Sequence, residues 1–358
     1  MATAERKTRV LVVDDSATAR RLLSRCLQAE PDIEVVGEAS DAFSAHELIA
    51  RHRPDVITLD IEMPGMDGLD FLRHLMKHQP IPVIIISSHT LPGSVTTFEA
   101  LKAGAVDVIS KPRAPLLVAG LARRLKKSIR GLRANHARPR ALPLEPRTAS
   151  PALRTTSPAN GLIAIGTSVG GPQALELLLT QLPADTPPIV IVQHMPAPFI
   201  PLLAGRLNDI CPMRVVVATD GQQLESGVAY LAPGDTHLVV EHRGGRLIAG
   251  LRRGIPMHHQ RPAVDVLFHS LALIRGVPIV GVLLTGMGSD GADGMVALRG
   301  AGHETIAEDS RSCVVFGMPR EAIARGGASR ILMLEQMPAV ILNGLERAAP
   351  KQGSGLKT

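Results

Sequence analysis

Short apolar runs alternate with helix-period segments through most of this chain, and that alternation restricts it to parallel α/β architecture. Val10–Val13 is a compact apolar run that stops at Asp14-Asp15, and Ala17–Gln28 then shows helical spacing. Ile33–Gly37, Asp55–Leu59, Val83–Ile86 and Val106–Ile109 repeat the strand signature, while Ala42–Arg51, Leu69–His78, Val95–Ala103 and Leu116–Leu132 read as helices. Runs without polar alternation belong to strands buried on both faces. Successive βα units of this kind wind right-handed into a doubly wound sheet. Residues 161–348 resume the pattern, with strands at Leu162–Gly166, Ile189–Gln193, Arg214–Val217, Val228–Ala232, Leu238–Glu241 and Ile279–Leu284. Helices are expected there at Gln173–Gln181, Phe199–Asn208, Ala263–Ile274 and Ala292–Arg299. The string AYLAPGDTHLVV sets a Pro-Gly-Asp turn between apolar runs and predicts a small antiparallel insertion near 228–250. Between the blocks, residues 131–160 are rich in Pro, Ser, Thr and Arg and read as an extended linker. The expected fold class is therefore α/β: two doubly wound parallel-sheet domains, at 8–130 and 161–348.

Composition narrows the function classes. With no Trp, one Tyr and six Phe, the cores must rest on aliphatic side chains, which suits buried parallel sheets. The net charge of +6 comes without a basic stripe interleaved with aromatics, so no nucleic-acid partner is expected. Cys26, Cys211 and Cys313 are odd in number and far apart, which fits a reducing compartment. The start MATAERKTRVLVVDD is no signal peptide, and no apolar run is long enough to span a bilayer. A cytoplasmic protein without direct membrane insertion is expected.

The first block gathers phosphoryl chemistry. Asp14 and Asp15 end its first strand, Asp60 its third and Ser87 its fourth, while Lys111 follows the fifth. Ligands bind at the carboxyl ends of strands in open α/β sheets, so these groups converge on one crevice. Crowded carboxylates would favour Mg²⁺, and a lysine and a hydroxyl would meet phosphoryl oxygens. Taken singly, each residue reads better as part of an exposed strand-end loop; the full set in this order does not. VLVVDDS, PDVITLDIEMPGMDGLDFL, VIIISSHT and ISKPR resemble the receiver domain of two-component response regulators. That resemblance implies that Asp60 is the phospho-acceptor, with Asp14, Asp15 and the Glu62 carbonyl around Mg²⁺, and that Ser87 and Lys111 read the phosphoryl group. Receivers serve many outputs, so this half does not name the function.

The second block gathers ester chemistry. Gly166-Thr167-Ser168-Val169-Gly170 is formally G-x-S-x-G at a strand–helix turn, which would leave the Ser168 hydroxyl at a strand's carboxyl end. A helix-capping serine is the plainer alternative. His194 ends the next strand and would stand beside Ser168 if the two strands are neighbours. A third strand runs into Thr285-Gly286-Met287-Gly288-Ser289-Asp290, where Asp290 is placed to meet the imidazole and the Met287 N–H to face an oxyanion. Alternatives stay open: Asp290 as N-cap of the helix from Gly291, or Asp293 as the orienting acid. His258, His259, His269 and Asp265 match no zinc spacing and read as groove or surface residues, and Cys313 as a small buried residue.

GTSVGGPQAL, VIVQHMP, YLAPGDTHL, RPAVDVLF, VLLTGMGSDGADGM and VVFGMPREA together resemble the methylesterase domain of chemotaxis response regulators. The resemblance implies a Rossmann-like catalytic domain without a cofactor, with nucleophile Ser168, base His194 and orienting acid Asp290. It further implies hydrolysis of glutamate methyl esters on methyl-accepting chemoreceptors, deamidation of receptor glutamines, and a chemotaxis histidine kinase as phosphodonor. Two departures stand out: Val169 replaces a hydroxyl residue after the nucleophile, and Ala263 replaces a serine, which removes a helix-cap bond. A DNA-binding regulator would need a smaller output with a recognition helix; a non-catalytic interaction module is the remaining alternative.

Overall fold

The computed structural model describes residues 6–61, 63, 68–87, 95–111, 118–135 and 161–348. The first domain runs β1 (Thr8–Val13), α1 (Ala17–Gln28), β2 (Ile33–Ala39), α2 (Ala42–His52), β3 (Val56–Leu59), α3 (Gly68–His78), β4 (Val83–Ser87), α4 (Val95–Lys102), β5 (Asp107–Ser110) and α5 (Val118–Asn135). Its strands are parallel in the order β2-β1-β3-β4-β5. The order reverses beside β1, so the chain leaves β1 and β3 toward opposite sides and opens a crevice at their carboxyl ends. Ser16 and Asp41 cap α1 and α2 by accepting the N–H groups of Ala19 and Ser44.

Helix α5 continues to Asn135, into the segment read as linker. Its stripe Leu121, Leu125, Ile129 and Leu132 is buried at helical spacing, and the same apolar cluster contains Val169 and Val315 of the second domain. Packing on both sides therefore carries the helix beyond the residues its sequence alone would extend. The remainder of the expected linker, residues 136–160, lies outside the described residues.

The second domain runs β6 (Leu162–Thr167), α6 (Gly171–Leu179), β7 (Ile189–Gln193), α7 (Ile200–Ile210), β8 (Arg214–Val217), β9 (Val228–Leu231), β10 (His237–Arg243), β11 (Arg246–Arg252), α8 (Val264–Ala272), β12 (Ile279–Leu283), α9 (Ala292–Gly300), β13 (Glu304–Glu308), α10 (Met318–Ala324), β14 (Arg330–Leu332) and α11 (Met337–Ala348). Seven strands form one sheet in the order β14-β13-β12-β6-β7-β9-β8, and its pairings are all parallel. The first strand of the domain thus lies in the middle, between β12 and β7.

Three features differ from the sequence reading. Strand β9 belongs to the main sheet, between β7 and β8, and the antiparallel pair is β10 with β11. The hairpin turn is Gly244-Gly245, both at positive φ, as a two-residue turn between twisted strands requires. Strands β13 and β14 were not expected, because glutamates end ETIAE and β14 spans only three residues. No described helix is long and apolar enough to cross a membrane.

Candidate active site and phosphoryl site

In the first domain, Asp14 and Asp60 are buried and Asp15 is exposed at the ends of β1 and β3. Their carboxylates present ligand oxygens within 4.8 Å of one another. An all-oxygen set of this kind fits Mg²⁺, which takes a few carboxylates together with water and phosphate. Lys111 Nζ lies 2.6 Å from both Asp14 Oδ2 and Asp60 Oδ2. Burial works against the ammonium, but the two carboxylates more than offset it and hold its pKa above the ordinary lysine value. Ser87 is buried at the end of β4, and its carbonyl accepts the Lys111 N–H at 2.7 Å. A side chain on Gly68 would strike the Asp60 and Ile61 backbone at 2.9 Å, so α3 starts directly against the acceptor loop. Glu62 lies outside the described residues.

In the second domain, β6 delivers Ser168 at the centre of the sheet, and its neighbours deliver the partners. His194 follows β7, and its N–H bonds the Thr167 carbonyl at 3.1 Å. Asp290 lies in the loop between β12 and α9, which turns through Gly288 and Gly291, both at positive φ. Nε2 of His194 and Oδ2 of Asp290 are 2.8 Å apart, and both side chains are buried. The imidazole therefore carries its proton on Nε2 toward the carboxylate. Nδ1 is buried with no hydrogen-bond partner among the described residues, so it is the free basic nitrogen. Ser168 Oγ makes no hydrogen bond to it in this arrangement.

Asp290 also works as a cap, but of α8 and not of α9. Oδ2 accepts the Val264 N–H at 2.8 Å and Oδ1 accepts the Asp265 N–H at 2.9 Å. Burial raises the carboxyl's pKa, yet His194 and these two N–H groups outweigh it and hold Asp290 below the ordinary carboxylate range. Ala263 stands at the N-cap of α8 without a side-chain bond, as expected, and Asp290 supplies what that residue lacks. Asp293 is instead exposed and paired with Arg325, which removes it as the orienting acid.

Two backbone N–H groups near Ser168 are open. Among the described residues neither the Val169 nor the Met287 N–H donates a hydrogen bond. Val169 is buried and Met287 half-buried, and an N–H left open in such surroundings is available to an incoming acceptor. Gly286 brings the Met287 loop this close: a Cβ there would meet Met318 Sδ at 2.3 Å and Ser168 Cβ at 2.8 Å. Gln193, which sequence reasoning left unused, fixes the same turn by donating to the Ser168 carbonyl at 2.9 Å. A Cβ on Gly171 would fall 2.0 Å from Gln193 Oε1, so the first helical residue has no room for a side chain.

Outside the Ser168 turn, His258, Asp265 and Asp290 present atoms within 4.8 Å of one another. His258 Nε2 donates to Asp265 Oδ2 at 2.9 Å, the Gly294 N–H donates to Asp265 Oδ1, and Asp290 accepts from His194, Val264 and Asp265, so the group's oxygens are engaged by protein donors. Burial, joined by the Asp290 charge, raises the Asp265 pKa. Cys313 is buried, and burial together with Glu308 pushes its thiol well up, away from nucleophilic chemistry. Burial also pushes Glu308 to about 7. Its folded pKa exceeds its ordinary value of 4.5, so the fold binds more protons than the unfolded chain between these values. Stability from this group is expected to fall as pH rises from about 4.5 to about 7, and Glu308→Gln to remove that slope in thermal melts.

The first domain closes over this centre. Val106 carbonyl accepts the Gly170 N–H at 3.0 Å, and Gln173 Nε2 donates to the carbonyls of Leu101 and Ala105 at 3.1 and 2.7 Å. Helix α5 lies on the Met287 loop: a Cβ on Gly288 would meet Lys127 Nζ at 3.0 Å, and one on Gly131 would meet Met287 Sδ at 3.1 Å. Burial lowers the Lys127 pKa, opposed in part by the Asp290 charge. Ser168, His194, Leu101, Val106 and Arg124 line a shared cleft of only about 10 Å³. That is barely the room of one water molecule, far below a methylated side chain.

Comparison with known proteins agrees with this division. Residues 163–341 match the family model described as CheB methylesterase, and residues 10–121 match the response regulator receiver domain. A protein-glutamate methylesterase/protein-glutamine glutaminase 1 of Cupriavidus metallidurans is 45% identical over 339 residues, covering 92% of this chain and 94% of the relative. A protein-glutamate methylesterase/protein-glutamine glutaminase 2 of Pseudomonas aeruginosa is 45% identical over 350 residues, covering 97% and 98%. The crystal structure of the Thermotoga maritima CheB methylesterase catalytic domain is 37% identical, covers 52% of this chain and 99% of that one, and superposes with a TM-score of 0.51. With a Ser168 turn and a His–Asp pair on neighbouring strands, a receiver in front of them, and near end-to-end similarity to these enzymes, the chain belongs to the CheB methylesterase family.

Proposed function

We propose that this chain is a phosphorylation-activated protein-glutamate methylesterase, and a protein-glutamine glutaminase, of chemotaxis adaptation. The reading rests on one observation above others: a buried His194–Asp290 pair and two open backbone N–H groups around Ser168, all beneath a receiver domain. Ser168 Oγ attacks the γ-carbonyl carbon of a methylated glutamate, and its proton passes to His194 Nδ1. The Val169 and Met287 N–H groups meet the oxyanion, and Asp290 stabilises the imidazolium. The tetrahedral intermediate collapses, methanol leaves with the proton from His194, and Ser168 holds the acyl group. Water, deprotonated by His194, then attacks the acyl carbon; the C–Oγ bond breaks, the imidazolium returns its proton to Ser168 Oγ, and the glutamate carboxyl leaves and ionises. With a glutamine side chain the leaving group is ammonia.

Asp60 is the phospho-acceptor, and Asp14, Asp15 and the Glu62 carbonyl would hold Mg²⁺ beside it. When bound, the ion neutralises phosphoryl charge. Lys111 and Ser87 meet the phosphoryl oxygens, and a chemotaxis histidine kinase supplies the group. Phosphorylation frees Lys111 from its two carboxylates and shifts the population away from the closed arrangement. The substrates are methyl-accepting chemoreceptors, reached from the cytoplasm. In a methanol-release assay on methylated receptors, acetyl phosphate with Mg²⁺ is expected to raise the wild-type rate. Asp60→Asn is expected to keep the basal rate and lose the stimulation. An unstimulated wild type would remove the regulatory part of the reading, and an absence of methanol the catalytic part.

A further inference from the structure

A buried carboxyl that none of these steps uses lies behind the nucleophile. Glu308 ends β13, two strands from β6, and is 1% exposed. Its Oε2 accepts the Thr285 N–H at 2.7 Å, and the Ser312 hydroxyl and the Cys313 thiol also face the carboxyl. The reason a side chain acts here lies in the sheet. The β12–β13 register ends at Leu283 opposite Ala307, so the Thr285 N–H has no ladder carbonyl to meet. The Glu308 side chain occupies the place where the ladder stops.

Thr285 in turn holds three successive residues at the nucleophile. Its carbonyl accepts the Ser168 N–H and the Thr167 hydroxyl, each at 3.0 Å. Its hydroxyl donates to the Val169 carbonyl at 2.9 Å and accepts the Val315 N–H at 2.9 Å. The next residues, Gly286 and Met287, form the loop that brings the second oxyanion donor against Ser168. One residue thus joins both walls of the site, and its own backbone is anchored by Glu308.

We propose that Glu308 is a positioning residue for the hydrolysis. Through the Thr285 peptide, its carboxyl oxygen fixes the Ser168 hydroxyl relative to the Val169 and Met287 N–H groups. The proposal rests on the esterase reading above. Displacements of about 1 Å at a reacting centre cost on the order of a hundredfold in rate, so a looser anchor is felt in kcat.

The test compares two variants of the full chain, activated with acetyl phosphate and Mg²⁺, by methanol release from methylated receptors well below each variant's melting temperature. Glu308→Gln keeps the reach and an acceptor oxygen but loses the charge. It is expected to keep kcat within about threefold of wild type. Glu308→Asp keeps the charge but falls one methylene short of Thr285. It is expected to lose about tenfold or more in kcat, with KM changed less than twofold. Both variants retain a polar side chain of similar size, so folding does not decide between them. Equal kcat for both variants, a loss in Gln but not in Asp, or an effect on KM alone would overturn the proposal. A wild type that releases no methanol would instead reject the esterase reading itself.

Discussion

Replacing Ser168 with alanine is expected to lower methanol release by on the order of a thousandfold or more, with the melting temperature unchanged. Among the described residues the hydroxyl makes no hydrogen bond in the closed arrangement, so its loss leaves none of their donors or acceptors unpaired. Asp290→Asn gives the informative contrast. Asp290 accepts three N–H donors on two oxygens: His194 and Val264 at Oδ2, and Asp265 at Oδ1. An asparagine must turn its NH₂ toward at least one of these donors, whichever way the amide is placed. It therefore favours the wrong imidazole tautomer, worth about four orders of magnitude in serine proteases, and also strips part of the α8 cap. The expected signature is a comparable loss of activity in both variants, with a lower melting temperature in Asp290→Asn alone. Methanol release by Ser168→Ala at the wild-type rate would defeat the assignment of the nucleophile.

These residues were legible in sequence because strand ends are legible. A doubly wound sheet sends its functional groups to the carboxyl ends of strands, and Asp14, Asp60, Ser168 and His194 each stand where an apolar run stops. That His194 and Asp290 approach from opposite sides of β6 depends on strand order, which periodicity does not encode. Asp290 looked like a cap for the helix that follows it, and it caps α8 across the sheet instead, a contact made only once the domain is folded. Strand β9 read as half of a hairpin because a turn string follows it, whereas the paired edges on both sides of it belong to β7 and β8. Glu308 and Gln173 gave no signal at all. Each sits among ordinary element residues, and its importance comes from a backbone group elsewhere that would otherwise lack a partner.

Residues 161–358 produced alone are expected to release methanol about ten- to a hundredfold faster than the unphosphorylated full chain, and with no response to acetyl phosphate. The rate gain on removing a cover is the reciprocal of the open fraction, and each 1.4 kcal/mol of closing free energy is a factor of ten. Among the described residues the closing contacts are mixed: the Val106–Gly170 bond, two bonds from Gln173, the packing of α4 against α6 and α7, and the packing of α5 with Val169, Val315 and Met287. Interfaces of that character between domains of one chain are moderate in strength, which is what a switch thrown by one phosphoryl group requires. The catalytic domain carries its own core and sheet, and the isolated Thermotoga maritima domain has been crystallised, so the truncated chain is a fair test. Gln173→Ala in the full chain is expected to move part of the way, raising basal release severalfold while lowering the ratio of stimulated to basal rate. It leaves the Leu101 and Ala105 carbonyls without their shared donor but touches no catalytic group. A truncated domain slower than the resting full chain would mean that the first domain assembles the site, and that its contacts on the Met287 loop support catalysis instead of blocking it.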